Sequence, residues 1–356
     1  MFFSKSNHFQ VAIKRSSHFS IILTIIVLII VACSGQKKED ASNFFLKANI
    51  AFAQKNYTEA LRLYDEAISK NSEFPDALLN KSICLIKLNR AEEAYEILTE
   101  SIRMDPTLVQ ANLVRSEAGL LLGRFNEAEA DLKQIEMQYK DSSRFYLLHG
   151  NLMEARSQTA LAAADFDRAI ALDKSNVEAL VNRGAVYYKS GNIDLAKNDF
   201  TAALKIRPSQ LEALNNLGLI AIKQNNLPEA ILYFDKILNF NPADALALNN
   251  KGYALLKSGE TGEAGKLIDR SLDIQPKNGY ALRNMGIYYQ SSGNLPKAID
   301  EFNKAIDLAE PVEDLYGLTG IAYQKANDKE SACRVWKQGI VLKDSIAIGE
   351  FSKNCK

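Results

Sequence analysis

Residues 177–210, VEALVNRGAVYYKSGNIDLAKNDFTAALKIRPSQ, decide the fold, because their pattern recurs every 34 residues through most of the chain. In each half of this stretch, small and large apolar residues return at intervals of three and four, which is typical of an amphipathic helix. Gly191 and Asn192 form a turn signal between the halves. Pro208 cannot continue the second helix. The unit is therefore predicted to be a helix-turn-helix pair.

The pattern can be laid out in register nine times without an insertion, with repeat starts at residues 41, 75, 109, 143, 177, 211, 245, 279 and 313. Position 20 of the repeat is alanine in all nine copies: Ala60, Ala94, Ala128, Ala162, Ala196, Ala230, Ala264, Ala298 and Ala332. Position 8 is always small: Ala48, Ser82, Ser116, Gly150, Gly184, Gly218, Gly252, Gly286 and Gly320. Position 24 is always large and apolar: Tyr64, Leu98, Leu132, Phe166, Phe200, Phe234, Ile268, Phe302 and Trp336.

Small residues on facing helices allow the two backbones to approach closely. We expect the large residue at position 24 to fill the gap between neighbouring units, so that each unit buries a face only against the next. The sequence therefore predicts an all-α solenoid with one continuous core.

These columns resemble the tetratricopeptide repeat (TPR) family, whose pattern has Gly at position 8, Tyr at 11, Ala at 20, Phe at 24 and Pro at 32. The resemblance covers residues 41–346 and implies a right-handed superhelix whose first helices line a concave groove that binds a protein or an extended peptide. Asn112 departs from the pattern, because it occupies the large position 4 of repeat three. Proline is missing from position 32 at Ser72, Lys140, Lys174 and Glu310.

Residues 1–32 have the layout of a secretory signal peptide: basic residues that end at Lys14 and Arg15, then an apolar run over residues 21–31. That run is shorter than the roughly 20 residues of a membrane-spanning helix. The alternative is an N-terminal anchor that is not cleaved. Residues 30–33, Ile-Val-Ala-Cys, resemble the lipobox of bacterial lipoproteins, which implies acylation of Cys33 and attachment to a membrane.

Ser34 follows Cys33, whereas Asp at that place resembles an inner-membrane retention signal, so we expect the outer membrane, facing the periplasm. Residues 33–40 are predicted to be a lipidated polar tether. The charged run in this tether also resembles surface-export signals, although a solvated spacer is the simpler interpretation. Several acyl chains on one residue would hold the protein firmly, since a single chain binds a membrane only marginally.

The overall charge gives no sign of a nucleic-acid partner. The 356 residues contain 43 basic and 43 acidic side chains, and residues 1–32 contain three basic and no acidic ones. The remainder therefore has 40 basic and 43 acidic side chains, a net charge of −3. Nucleic-acid binding requires a basic face.

One column of polar side chains is a candidate binding site. Position 6 is asparagine in four consecutive repeats: Asn182, Asn216, Asn250 and Asn284. If the first helices line a groove, these amides form a row whose donors and acceptors suit the backbone of an extended peptide. The row resembles the asparagine ladder in the TPR superhelix of O-linked N-acetylglucosamine transferases, although nothing of the catalytic region of those enzymes is present here.

Position 13 adds a column of lysines that would favour an acidic peptide or a free carboxylate. Its members are Lys87, Lys189, Lys223, Lys257 and Lys325. Asparagine at position 6 and lysine at position 13 are also common in the average repeat of the family, so a structural role for both columns is the alternative.

The C-terminal residues are predicted to close the array. Residues 347–356 are assigned to a cap, with a final helix expected over residues 345–354. Cys333 and Cys355 can pair if the compartment is oxidising, and two free thiols are the alternative. Cys84 is expected to be a buried, unpaired thiol.

The remaining residues give no indication of catalysis, a metal or a cofactor. His149 is the only histidine after residue 32, and its neighbours Leu147 and Leu148 favour a packed side chain. The segment GETGEAGK at residues 259–266 resembles a phosphate-binding loop only superficially. Glu260 stands where such a loop has its first glycine, and Leu267 stands where it has a serine or threonine. Gly262 and Gly265 in that segment predict a soft joint in the second helix of repeat seven.

We therefore expect a non-enzymatic, membrane-anchored scaffold of the bacterial cell envelope that holds a protein or peptide in its groove. The alternative is an accessory subunit of an envelope enzyme or secretion complex that docks through its convex face.

Overall fold

The computed structural model describes residues 36–355, and every regular element in that range is a helix. The helices are α1 (36–53), α2 (Tyr57–Lys70), α3 (Pro75–Lys87), α4 (Ala91–Met104), α5 (Val109–Leu121), α6 (Phe125–Tyr139), α7 (Ser143–Ala155), α8 (Thr159–Leu172), α9 (Val177–Lys189), α10 (Ile193–Ile206), α11 (Leu211–Lys223), α12 (Leu227–Phe240), α13 (Ala245–Ser258), α14 (Thr261–Ile274), α15 (Gly279–Ser291), α16 (Leu295–Asp307), α17 (Leu315–Lys325), α18 (Lys329–Val341) and α19 (Ser345–Asn354). The fold is an all-α solenoid of helix pairs, as predicted.

The chain divides into two compact units. Unit 1 ends at Leu172 and contains α1–α8, which are repeats one to four, and unit 2 begins at Asp173 and contains α9–α19. Within each unit a second helix packs against the first helix of its own repeat and against the first helix of the following repeat. First helices of successive repeats also contact one another, so that they form a continuous surface, called here the first-helix surface of the unit.

The turn inside every repeat is made at position 15, where φ is positive in all nine copies. The residues are Lys55, Asn89, Gly123, Ser157, Gly191, Asn225, Gly259, Gly293 and Asn327, with φ between 58° and 91°. Glycine adopts this left-handed conformation without steric cost, and asparagine adopts it more readily than most other residues. The left-handed residue at position 15 therefore joins the two helices of the repeat in the same way in all nine copies.

The large residue at position 24 lies directly against position 8 of its own repeat. A Cβ atom added to Gly218 would lie 2.5 Å from the ring of Phe234, and one added to Gly286 would lie 2.5 Å from Phe302. Gly320 makes the same contact with Trp336, which is fully buried. This close contact inside the repeat locks the two helices of one pair together. Phe234 also shares a core cluster with Ala247 and Ala254 of the next repeat, in line with the expected packing between units.

Repeats two and three distribute side-chain volume differently between positions 8 and 24. Ser82 and Ser116 replace glycine at position 8, and the smaller Leu98 and Leu132 replace the aromatic ring at position 24. The serine hydroxyls are buried and donate to backbone carbonyls one turn earlier in their own helices. A larger side chain on one helix is thus matched by a smaller one on the other, as close packing requires.

The junction before repeat nine departs from the 34-residue register. Pro311 stands at position 33, and the residue before a proline is disfavoured in the helical conformation. Asp314 has a φ of +59°, and α17 begins only at Leu315, two residues after the register start at 313. The first helix of repeat nine is therefore shorter, with 11 residues.

Helix α19 covers the end of unit 2 by packing on α17 and α18. Asp344 ties it down, because its Oδ1 atom accepts from the backbone N–H of Ala347 at 2.9 Å and its Oδ2 atom accepts from Gly317 at 2.9 Å. One carboxylate therefore caps the N-termini of both α17 and α19. The structure also joins Cys333 and Cys355 in a disulfide, with Cα atoms 5.7 Å apart.

The N-terminal signal and Cys33 lie outside the described residues. Residues 36–40, which were expected to belong to the polar tether, are helical and form the start of α1 in the structure. Between residues 36 and 355 no helix has both the length and the apolar character needed to cross a bilayer.

The two glycines of α14 have opposite surroundings. A Cβ atom on Gly262 would meet no atom within 4 Å, whereas one on Gly265 would lie 2.7 Å from the ring of Tyr288 in the next repeat. Gly265 therefore allows close packing against Tyr288. This contact argues against the prediction that both glycines make the second helix of repeat seven flexible.

Replacing Gly262 with Ala should stabilise unit 2 by about 0.5–1 kcal/mol, because Ala loses less backbone entropy in a helix. The same replacement at Gly265 should destabilise it by about 1–3 kcal/mol, because the methyl group would overlap Tyr288. Urea unfolding of the two variants measures the difference, and equal effects at both positions would show that Tyr288 gives way without cost.

A cross-helix ion pair joins positions 7 and 23 in three consecutive repeats. The pairs are Arg115–Asp131, His149–Asp165 and Arg183–Asp199, each with a shortest N–O distance of 2.6 Å. Only the middle pair can lose its positive charge near neutral pH. The hydrogen bond to Asp165 raises the pKa of His149 against the opposing effect of burial, and Asp165, Glu136 and Glu129 add electrostatic attraction.

Because the folded pKa of His149 lies above its unfolded value of about 6.5, the stabilisation is complete below that pH and is lost as pH rises through the folded pKa. We expect the melting temperature of the wild-type chain to fall relative to the His149→Arg variant as the pH is raised from 6 to 9. The arginine variant keeps its charge, like its neighbours Arg115 and Arg183. A constant difference in melting temperature across this range would contradict the assignment.

Candidate peptide-binding surface

The asparagine column of unit 2 lies on the first-helix surface, where it forms hydrogen bonds between repeats. The Asn250 Nδ2 atom donates to the Oδ1 atom of Asn215 in the preceding repeat at 2.9 Å. The Asn284 Nδ2 atom donates in the same way to Asn249 Oδ1 at 2.9 Å. Asn249 in turn donates to Asn250 within its own helix at 3.2 Å. Each position-6 amide in these bonds therefore reaches back to position 5 of the repeat before it.

Arg283 continues this chain of hydrogen bonds into repeat nine. Its Nε and NH2 atoms donate to Asn284 Oδ1 at 3.1 and 2.9 Å, and its NH1 atom donates to the backbone carbonyl of Glu313 at 2.9 Å. The guanidinium lies 5.1 Å from the ring centroid of Tyr253 and 5.2 Å from that of Tyr280. With only 6% of its surface exposed, Arg283 holds repeats seven, eight and nine together.

The four predicted asparagines differ in their availability to a ligand. Asn284 is 1% exposed, and both its donor and its acceptor are used within the protein, so its assignment to a peptide-contacting row is corrected. Asn182, Asn216 and Asn250 are partly exposed. Asn216 makes no side-chain hydrogen bond within the described range, which leaves its amide able to bind a peptide group.

The lysines of position 13 are all exposed at the C-terminal ends of first helices. Lys223 and Lys257 form no ion pair with any carboxylate among residues 36–355, and neither does Lys325. By contrast, Lys251 at position 7 lies 2.9 Å from Asp235. Lys223, Lys257 and Lys325 therefore present uncompensated positive potential along one edge of this surface of unit 2.

Tyrosine rings lie beside two of these lysines. The Lys223 Nζ atom is 5.6 Å from the ring centroid of Tyr188, and the Lys257 Nζ atom is 5.9 Å from that of Tyr253. Burial raises the pKa of the Tyr188 hydroxyl, with the carboxylate of Glu313 adding to the shift. The phenol therefore stays neutral and offers both a donor and an acceptor at neutral pH.

The opposite edge of the surface carries a different charge. Glu178 and Glu212 occupy position 2 of repeats five and six and are exposed. In repeats seven and eight the same position is Leu246 and Tyr280, which are 54% and 45% exposed. The first-helix surface of unit 2 thus has a basic edge and an edge that changes from acidic to apolar.

No group of three or more metal-binding side chains occurs among residues 36–355. What this surface offers chemically is hydrogen bonding, positive charge and aromatic contact, which are the means of recognising another chain.

Three models of the tetratricopeptide repeat match the sequence, over residues 51–111, 181–245 and 244–310, and together they cover more than half of the chain. The chain is a tetratricopeptide repeat protein. TPR arrays bind protein or peptide partners, and this protein is accordingly a scaffold for protein–protein interaction, built on a fold that is typically non-catalytic.

Relatives of this TPR protein match it over part of their length. DnaJ homolog subfamily C member 7 of Mus musculus is 27% identical over 142 residues, which make up 40% of this chain and 28% of that protein. The match covers between 18% and 28% of the length of the first three curated relatives. The similarity therefore concerns the repeats and not the activities of those whole proteins.

Two solved structures are similar in fold. The Cut9–Hcn1 hetero-tetramer of the APC/C superposes with a TM-score of 0.63 at 14% identity, over 89% of this chain and 76% of that chain. PilW, described as a widely conserved type IV pilus biogenesis factor, has a TM-score of 0.50 at 26% identity and covers 55% of this chain and 91% of its own.

Three residues of this site do not belong to the predicted columns. Asn215 and Asn249 accept the hydrogen bonds from position 6, and Arg283 replaces them at position 5 of repeat eight. The signal was present as the doublets Asn215-Asn216 and Asn249-Asn250, which place a second amide one residue before the recognised column.

Proposed function

We propose that this TPR protein is a lipoprotein of the bacterial cell envelope, anchored through acylated Cys33 and directed to the outer membrane with its array facing the periplasm. The support is the sequence of residues 30–33 at the end of the apolar run, followed by Ser34. Replacing Cys33 with Ser should move the protein from the membrane pellet to the supernatant and remove the acyl mass from its N-terminus. A variant that keeps its membrane location would contradict the anchor.

The array holds an extended peptide of a partner protein along the first-helix surface of unit 2. The observation that carries this function is the basic edge formed by Lys223, Lys257 and Lys325, whose charges have no carboxylate partner among the described residues. Charges of this kind steer and select an oppositely charged partner. Lys189 completes the column at repeat five. The peptide favoured by this edge carries acidic side chains or a free carboxylate.

Backbone recognition comes from the amides beside this edge. Asn216 offers an unused donor and acceptor, and Asn182 and Asn250 are exposed in part. Tyrosine hydroxyls at Tyr188 and Tyr253 extend the same polar strip. These groups suit an extended segment, whose main-chain N–H and C=O groups require partners whatever its sequence.

The test is a charge reversal with a matched control. Lys223→Glu combined with Lys257→Glu should weaken the binding of a fluorescein-labelled ten-residue glutamate-rich peptide by about tenfold or more in low salt, the equivalent of about 1.4 kcal/mol. Lys297→Glu is the control, because this exposed lysine also lies beside a tyrosine, 5.2 Å from the ring of Tyr289, but on a second helix. Equal loss in both variants would remove the basic edge from the mechanism.

A second candidate function is docking as an accessory or assembly subunit through the second helices. It is favoured by Leu195 and Leu232, two apolar side chains on second helices of unit 2 that are 49% and 54% exposed. The similarity to PilW, a protein described as a biogenesis factor, also favours a part in assembly. In either case the protein acts by holding partners, with no catalytic step, cofactor or nucleic acid.

A further inference from the structure

A cavity of about 200 Å³ lies in unit 1, between repeats one and two. Its lining consists of Asn49 and Phe52 from α1, Tyr64 from α2, and Asn80 and Ile83 from α3. No lining side chain carries a formal charge. The residues from α1 and α3 are partly exposed, so the cavity opens onto the first-helix surface of unit 1.

The polar groups of the cavity are organised around one acceptor. The Tyr64 hydroxyl donates to Asn49 Oδ1 at 2.6 Å, and the Asn80 Nδ2 atom donates to the same oxygen at 3.0 Å. Tyr64 is 1% exposed, and burial raises its pKa to about 12, so it remains a neutral donor. The Asn49 amide nitrogen and the Asn80 carbonyl make no hydrogen bond within the described range.

Beside the cavity, the asparagine contact between repeats is displaced along α1. In unit 2 the position-6 amide meets an asparagine at position 5 of the preceding repeat, as Asn250 meets Asn215. In repeat one, position 5 is Phe45, whose ring packs 4.9 Å from Phe74 and 5.9 Å from Tyr64. Asn80 therefore bonds to position 9, one turn further along α1.

We propose that this cavity binds one uncharged aromatic group that carries a hydrogen-bond donor, supplied by a tyrosine or tryptophan side chain of the peptide partner. This inference rests on the proposed scaffold function and adds a specificity pocket in unit 1 to the charged edge in unit 2. An apolar cavity of about 150 Å³ is large enough for benzene, so a volume near 200 Å³ accepts a substituted ring. Phe52 and Ile83 supply apolar contact, and the free carbonyl of Asn80 accepts the donor of the ring.

Because the lining carries no formal charge, the cavity should select uncharged ligand groups. An ionised ligand group would lose its hydration without gaining an opposite charge, which is costly. A phenol or an indole keeps its one polar bond through an amide and buries its ring. The cavity should therefore discriminate against benzoate and benzylamine groups of similar size.

The test uses the full chain and the probe 4-fluorophenol. Its ¹⁹F resonance should broaden and shift on addition of the protein, while 4-fluorobenzoate and 4-fluorobenzylamine should show at least a tenfold weaker effect. Ile83→Trp, which fills the cavity, should abolish the broadening. Ile287→Trp, the same change at position 9 of repeat eight, should leave it intact. Broadening that persists in Ile83→Trp, or equal binding of the charged probes, would overturn the proposal.

A crystal soaked in 4-bromophenol gives a result that is independent of any variant. The anomalous peak of bromine should lie between α1, α2 and α3, and an empty cavity at a saturating concentration of the probe would overturn the site. The outcome is separable from the scaffold function. Bromine in the cavity together with failed peptide binding would keep the site and remove the peptide as its occupant, whereas peptide binding with an empty cavity would remove the pocket alone.

Discussion

Replacing Phe234 with Ala should lower the free energy of unfolding of unit 2 by about 3–5 kcal/mol, one of the largest effects expected from a single substitution in this chain. The ring is fully buried and lies against the backbone of Gly218, so its removal leaves a cavity that the two helices cannot close. Urea denaturation followed by circular dichroism measures the change. Leu232→Ala is the control, because that side chain is 54% exposed and its truncation should cost about 0.5 kcal/mol or less.

The lock between positions 8 and 24 also predicts a specific coupling. Gly218→Ser alone should destabilise the chain by about 1–3 kcal/mol, because its Cβ atom would lie 2.5 Å from Phe234. Combined with Phe234→Leu, which reproduces the pair Ser116–Leu132 of repeat three, the loss should be smaller than the sum of the single changes. Strict additivity in this double-mutant cycle would contradict the assigned contact.

Loss of the Cys333–Cys355 disulfide should destabilise the C-terminal cap by about 2–4 kcal/mol. The bond joins α18 to the residue that follows α19, at a sequence separation of 22. Because each repeat of a solenoid contacts only its neighbours, opening of the cap exposes the end of unit 2 without unfolding the repeats before it. Hydrogen exchange of residues 345–354 should therefore become faster in the Cys333→Ser, Cys355→Ser variant.

A reductant provides the control for this effect. It should speed exchange in the wild-type cap to the level of the double variant and should leave the double variant unchanged. Cys84 does not interfere, because it is an unpaired, buried thiol whose pKa is raised to about 11 by burial. Exchange rates in the cap that are the same with and without the disulfide would show that Asp344 and packing alone hold α19.

The fold could be predicted from the sequence because small and large residues recur in fixed columns. Alanine at position 20 set the register of the repeats. In the structure, the first helices of repeats two to eight begin at position 1 of their repeats, from Pro75 to Gly279. The late start of α17 could have been inferred from Pro311. The close contact of the position-24 ring with position 8 could not be inferred. Periodicity shows which face of a helix is apolar, but it does not show which residue that face contacts.

The candidate site was less predictable for a physical reason. The choice of partner by an amide such as Asn284 depends on the distance between repeats, which no single repeat encodes. Sequence pattern therefore located the column but not its use, and Asn284 proved to be buried. The cavity beside Tyr64 was hidden for the same reason, since two of its lining residues, Asn49 and Asn80, meet across neighbouring repeats.

The most direct test of the account is site-specific photo-crosslinking in intact envelopes, with a photoreactive amino acid placed at Lys257 on the first-helix surface or at Leu232 on a second helix. Crosslinks to a partner from position 257, with none from position 232, are the predicted result. Crosslinks only from position 232 would contradict peptide capture on the first-helix surface and would favour docking through the second helices.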